Sequence, residues 1–186
     1  IEQPEASAIA VKWMEDVLSK SINEIDLNFE KFRISEALMT TYKLFWDDFS
    51  GWYLEIIKPE YRKPMDGKTH RATLDIFGTL MKVIHPFMPF ITEEIWQRLD
   101  ERSEGSSIMV QPMPASAEYS SALLGRFDLS REIVSAVRTI RKEKNLPVRE
   151  SLVLCAAAGA TGDEFDSMII KMCNLSGVEF ISEKPD

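Results

Sequence analysis

Cysteine, histidine and glycine are all scarce in this 186-residue chain, and each scarcity removes a class of function. The two cysteines, Cys155 and Cys173, stand eighteen positions apart among apolar neighbours with no C-x-x-C pair. Neither a zinc knot nor a redox motif can be assembled from them, and two reduced, buried thiols are expected. His70 and His85 are too far apart in sequence to form a ligand pair, so no metal site is expected. The eight glycines are scattered, and no phosphate-cradling loop, G-x-S-x-G elbow or H-E-x-x-H motif occurs. No catalytic residue is therefore assigned. Long apolar runs are missing too: Val83 to Ile91 is broken by His85, Pro86 and Pro89, far short of the ~20 residues a membrane helix requires. The first residues (Ile1, Glu2, Gln3, Pro4, Glu5) show no basic start followed by an apolar stretch. A piece of a longer protein with no leader, located in the cytoplasm, is the expectation. Basic charge is short as well, with 22 Lys and Arg against 30 Asp and Glu, a net charge of -8. That balance excludes a generic polyanion coat, so any nucleic-acid contact has to be a local basic patch on an acidic body.

What is present is 45% hydrophobic and 28% charged residues, enough for one sizeable core. Apolar residues recur at helical spacing from Pro4 to about Ile25, through Ile9, Trp13, Val17 and Ile22. Ile34, Leu38, Tyr42, Phe45, Phe49, Trp52 and Ile56 follow at intervals of 4, 4, 3, 4, 3 and 4, one stripe along a long buried helix. Gly51 marks a bend or a close helix contact in it, and Pro59, Pro64 and Asp66-Gly67 form a loop. A third helix is predicted over 69–84, a buried corner over 86–91, and a fourth helix capped by Thr92, with Glu93 and Glu94 favourable to its dipole. Ile108-Met109-Val110, bounded by Pro112 and Pro114, reads as extended. Ser130 is placed to cap a fifth helix reaching about Asn145, followed by a strand 152–157, a short helix 163–173 and a strand 178–181. The expected fold is mainly α: a bundle of four core helices over 1–104, then an extended segment, a basic helix and a small α/β lobe over 105–186.

Two stretches carry a family resemblance: Phe45-Trp46-Asp47-Asp48-Phe49-Ser50-Gly51-Trp52-Tyr53-Leu54-Glu55 through Lys58, and His85-Pro86-Phe87-Met88-Pro89-Phe90-Ile91-Thr92-Glu93-Glu94-Ile95-Trp96. In that order and at that separation they resemble the anticodon-binding helical bundle of class I aminoacyl-tRNA synthetases for valine, isoleucine, leucine and methionine. Ser107 to Pro114, with Met113 where an aromatic residue is usual, and Val137-Arg138-Thr139-Ile140-Arg141 resemble the valine branch in particular. The likeness thins after about Leu154. It implies a parent enzyme that attaches valine to tRNA using ATP with magnesium, of which this chain, lacking the catalytic and editing domains, would be a catalytically silent, monomeric piece that binds a valine tRNA. The same domain of an isoleucine enzyme, and a helical protein-interaction domain that touches no RNA, stay open as alternatives.

The residues themselves offer one basic concentration. Between positions 131 and 149 stand Arg131, Arg138, Arg141, Lys142, Lys144 and Arg149 against only Glu132 and Glu143. Arg131, Arg138 and Lys142, at spacings of 7 and 4, fall within about 40° on a helix, opposite Ile133, Val137 and Ile140. Cations on a rigid helix hold phosphates, and arginine also stacks on exposed bases. Lys12 and Arg33 are a second candidate pair, with Tyr61, Arg62 and Lys63 weaker. Trp46, Trp52, Tyr53 and Trp96 fall in apolar stripes and are expected in the core.

Overall fold

The fold is known from a computed structural model, which describes residues 1–157 and 163–181. Helix α1 (Glu5–Glu30) starts where the Pro4 carbonyl accepts from the Ser7 and Ala8 amides, and runs one turn beyond Ile25. It ends in a Schellman turn: Arg33 N donates to Asn28 O at 2.8 Å and Phe32 N to Phe29 O at 3.0 Å. Phe32 fills the left-handed position of that turn, with φ 55°, where glycine is usual. The long second helix forms as predicted but in three parts, α2 (Ile34–Lys43), a π-helical segment (Leu44–Tyr53) and α3 (Leu54–Ile57). The wider turn of the middle part shows in Leu54 N, which bonds Phe49 O five residues back.

α4 (Gly67–Ile84) begins two residues earlier than predicted, because the Asp66 carboxylate accepts from Thr69 N at 2.8 Å. α5 (Pro89–Leu99) starts on its proline, whose absent N–H costs nothing in a first turn. Thr92 is therefore inside the helix and not its cap; its hydroxyl bonds Met88 O and His85 Nδ1, both at 2.8 Å. Glu93 does more than favour the dipole. It accepts from Ser107 Oγ (2.7 Å), Gln97 Nε2 (2.7 Å) and Ile108 N (3.0 Å). Those bonds hold Ile108–Val110, a single 3-10 turn where an extended run was predicted, against α5 with Ile108 buried.

α6 (Ser121–Glu143) starts nine residues before the expected cap: Ser120, not Ser130, receives the Leu123 amide at 3.2 Å. The final lobe is the predicted strand, helix and strand: β1 (Leu152–Ala157), α7 (Asp163–Cys173) and β2 (Leu175–Ile181), with β1 and β2 parallel and Leu154 opposite Val178. Its Phe165, Met168 and Ile169 join Trp13, Tyr53, Ile56 and Phe127 in one buried cluster. Trp13 stacks on Phe127 with ring centroids 3.7 Å apart, which seats α6 on α1. Of the thiols, Cys173 is buried as expected and Cys155 is exposed, because outward positions alternate along β1.

Two apolar regions predicted to be covered are open. The 86–91 corner leaves Met88, Phe90 and Ile91 exposed, Phe90 by 91%. On the second helix the stripe residues Ile34, Leu38 and Tyr42 are exposed, Phe45 and Trp52 are half-buried, and Phe49 and Ile56 are in the core; Trp46, beside the stripe, is exposed. In α2 itself the buried residues are Ala37 and Thr41, and the rest of its apolar face stays open.

Candidate nucleic-acid interface

Burial on α6 is centred on Leu123, Phe127, Ser130, Val134, Val137 and Arg141. Arg141 lies eighteen residues after Leu123, about five full turns, hence on the same azimuth. The expected apolar face was placed too far round: Ile140 is 53% exposed, and Arg141 points into the protein. Its guanidinium donates to the carbonyls of Pro147 (2.8 Å), Glu150 (2.9 Å), Cys173 (3.0 Å) and Asn174 (3.3 Å). Arg141 is thus a clamp between α6, the loop after it and the end of α7, and is removed from the RNA-facing candidates.

The other cations of the ridge divide. Arg131 is half-buried and lies 3.7 Å from Asp48 and 3.8 Å from Asp128, so its charge is largely spent. Asp48, from the π-helical segment, sits in a hollow of about 160 Å³ with Lys20, Lys43 and Arg131; burial pushes its carboxyl above the usual range while Arg131 and Lys43 pull it down. Arg138, Lys142, Lys144 and Arg149 are exposed and meet no carboxylate within 4 Å among the described residues. Lys144 precedes Asn145, left-handed at φ 52°, which ends α6 with Leu146 N bonded to Arg141 O at 2.8 Å. These four cations, with no carboxylate within 4 Å among the described residues, border a turn that Arg141 holds from inside.

Lys12 and Arg33 are not brought together. They lie twenty-one residues apart, about 30 Å along α1. Lys12 faces a hollow shared with Glu5 and Glu164 beside α7. Arg33 flanks Phe32 at the far end of the bundle. Phe29 stacks on Phe87 at 6.0 Å, which places the α4–α5 corner at that same end. Phe32, 88% exposed, and Phe90, 91% exposed, therefore project from one tip, with Lys31 and Arg33 alongside. Reasoning from the stripe alone missed this tip; the left-handed aromatic at Phe32 was not legible, but two phenylalanines flanked by cations and prolines were. Trp46 is 59% exposed and stacks on Tyr42 at 6.3 Å, so it is not in the core, whereas Tyr53 and Trp96 are buried. Tyr61 is 87% exposed beneath Arg62, and Lys63 is tied to Glu60 at 2.6 Å. No group of three or more metal-ligating side chains occurs among the described residues, and no helix among them is long and apolar enough to cross a membrane.

Residues 11–156 match the family described as the anticodon-binding domain of tRNA ligase. The chain is 53% identical over 184 residues to a valine–tRNA ligase of Parabacteroides distasonis, covering 99% of this chain and 21% of that protein. It is 50% identical over 183 residues to that of Porphyromonas gingivalis, covering 98% and 21%. To that of Thermotoga maritima it is 29% identical over 174 residues, covering 94% and 20%. The chain thus spans about a fifth of the length of the curated relatives it matches. A helical bundle with an outward-facing aromatic tip, carrying a match over residues 11–156, belongs to the anticodon-binding domain family of tRNA ligases.

Proposed function

We propose that this chain is the tRNA-docking region of a valine–tRNA ligase, whose parent enzyme joins valine to its tRNA at the expense of ATP with magnesium in the cytoplasm. The observation that carries the reading is the bundle tip, where Phe32 and Phe90 stand almost fully exposed beside Lys31 and Arg33. Bases of an anticodon loop are unstacked and present flat faces, and a protein that reads them supplies aromatic rings and guanidinium planes. Exposed apolar residues grouped at one end and rimmed by cations are the kind of patch that marks an interaction site. Arg138, Lys142, Lys144 and Arg149 supply backbone contacts further down the RNA, with Lys12 peripheral. In this reading residues 1–104 carry base recognition and 105–186 carry the backbone grip, on a monomer.

The test is affinity of the chain at low salt for tRNA with a valine anticodon and for the same tRNA with that anticodon replaced. Equal affinities would remove direct anticodon reading. The chain alone is expected to catalyse no valine-dependent exchange of pyrophosphate into ATP, and any exchange above background would contradict its assignment as a docking piece. A second reading, docking of a protein surface, is favoured by one observation, the exposed row Leu38, Met39, Tyr42 and Trp46. Substituting Met39 and Trp46 with polar residues should leave tRNA affinity unchanged if that row faces protein.

A further inference from the structure

Under the basic ridge lies an aromatic ring that packs on the core by one edge and carries cations on its face. Trp52, in the π-helical segment, is only half-buried; it meets Phe127 edge-on at 5.9 Å, and its ring carries two guanidinium groups, Arg131 at 5.0 Å and Arg138 at 5.9 Å from the centroid. The two arginines are seven residues apart, about 10 Å along α6, yet they converge on one indole.

Their remaining partners differ. Arg131 is held by Asp48 and Asp128. Arg138 is exposed and meets no carboxylate within 4 Å among the described residues. An exposed arginine samples many rotamers, and fixing it on a ligand forfeits that freedom. Contact with a ring face restricts the side chain beforehand and leaves the in-plane N–H donors unused. A carboxylate partner would have consumed both donors and charge.

We infer that Trp52 is a positioning residue for RNA binding: its indole holds the Arg138 guanidinium with its donors free for a phosphate, while Arg131, neutralised by Asp48 and Asp128, ties the same ring to α6. The inference rests on the proposed tRNA-docking function. It gives Trp52 a task that a stripe position alone did not reveal, and it explains why the ridge keeps a cation whose charge is already matched.

The experiment measures affinity of this chain for tRNA with a valine anticodon across a salt series. R138Q should weaken binding about threefold to fivefold and make the log–log salt slope shallower by ~0.7 to 0.9, one phosphate contact. W52L should do the same, the W52L/R138Q double variant should be no weaker than R138Q, and W52F, which keeps a ring face, should stay within about twofold of the parent. Because W52L also removes a ring from Phe127, a second arm leaves shape intact: global replacement of tryptophan by a fluorinated tryptophan, which drains electron density from the ring face. That replacement should weaken the parent chain and leave W52F unchanged. Independent, multiplying effects of W52L and R138Q, or no response to fluorination, would overturn the positioning role while leaving tRNA docking intact. Absence of any tRNA binding by the parent chain would overturn both.

Discussion

Phe32 occupies a position at which helices ordinarily end on glycine, and its φ of 55° costs on the order of 1–2 kcal/mol for a residue bearing a Cβ. With the ring 88% exposed, no packing offsets that cost. F32G is therefore expected to raise stability by about 1 kcal/mol in urea unfolding and to lower affinity for tRNA; earlier unfolding of F32G would mean that the ring supports the fold. Glu93 presents the opposite case, a side chain whose charge serves structure. Hydrogen bonds from Ser107 and Gln97, and then from the Ile108 amide, hold its carboxyl below the ordinary range. A depressed acid stabilises the fold above its unfolded pKa, about 4.3, and that contribution is lost as pH falls through the lower folded value. The stability gap between the parent and E93A should be full at neutral pH and close on acidification below about pH 4. A gap independent of pH would assign the effect to packing instead. Neither role was legible from residue type: Glu93 reads as an ordinary first-turn acid, and only the return of Ser107 and Ile108 onto α5 makes it a tether.

At the scale of elements, the π-helical segment decides which signature residues face inward. Gly51 sits within it, and a Cβ there would stand 3.3 Å from the Trp46 carbonyl oxygen, whereas a Cβ at Gly78 in α4 would meet nothing within 4 Å. Glycine to alanine inside a helix ordinarily gains ~0.5–1 kcal/mol. G78A should show that gain in thermal or urea unfolding, and G51A should show none or a net loss. Equal gains at both sites would mean the wide turn closes without cost. α6 shows how an element can be predicted and still be misaimed. Starting it at Ser130 left Leu123, Leu124 and Phe127 out of the helical wheel, and the missing residues are those that set its buried face. Restoring them rotates the apolar centre onto Val134 and Val137, exposes Ile140 and draws Arg141 inside. A basic residue counted toward the ridge is in consequence the clamp beneath it.

For the molecule as a whole, charge is sharply partitioned: a net -8 chain presents Arg138, Lys142, Lys144 and Arg149 without acidic partners within 4 Å among the described residues, and Arg33 at the tip. Three to five phosphate contacts imply a log–log salt slope of roughly -2 to -4 for tRNA binding. A slope near zero would leave the aromatic tip alone responsible. Composition and spacing determined much of this protein by themselves: the helical bundle and the strand–helix–strand lobe follow from local periodicity and from proline, glycine and cap positions, which act within a few residues of chain, while the two signature stretches are legible only through their family resemblance. Tertiary structure alone decided which of those faces is covered. Ile34, Leu38 and Tyr42 belong to the same stripe as Phe49 and Ile56, yet they stay open while Ala37 and Thr41 of the same helix are buried, and Arg141 is buried because four carbonyls, two from the loop after α6 and two from the end of α7, converge on it. Burial depends on what arrives from elsewhere in the chain, and periodicity carries no record of that arrival.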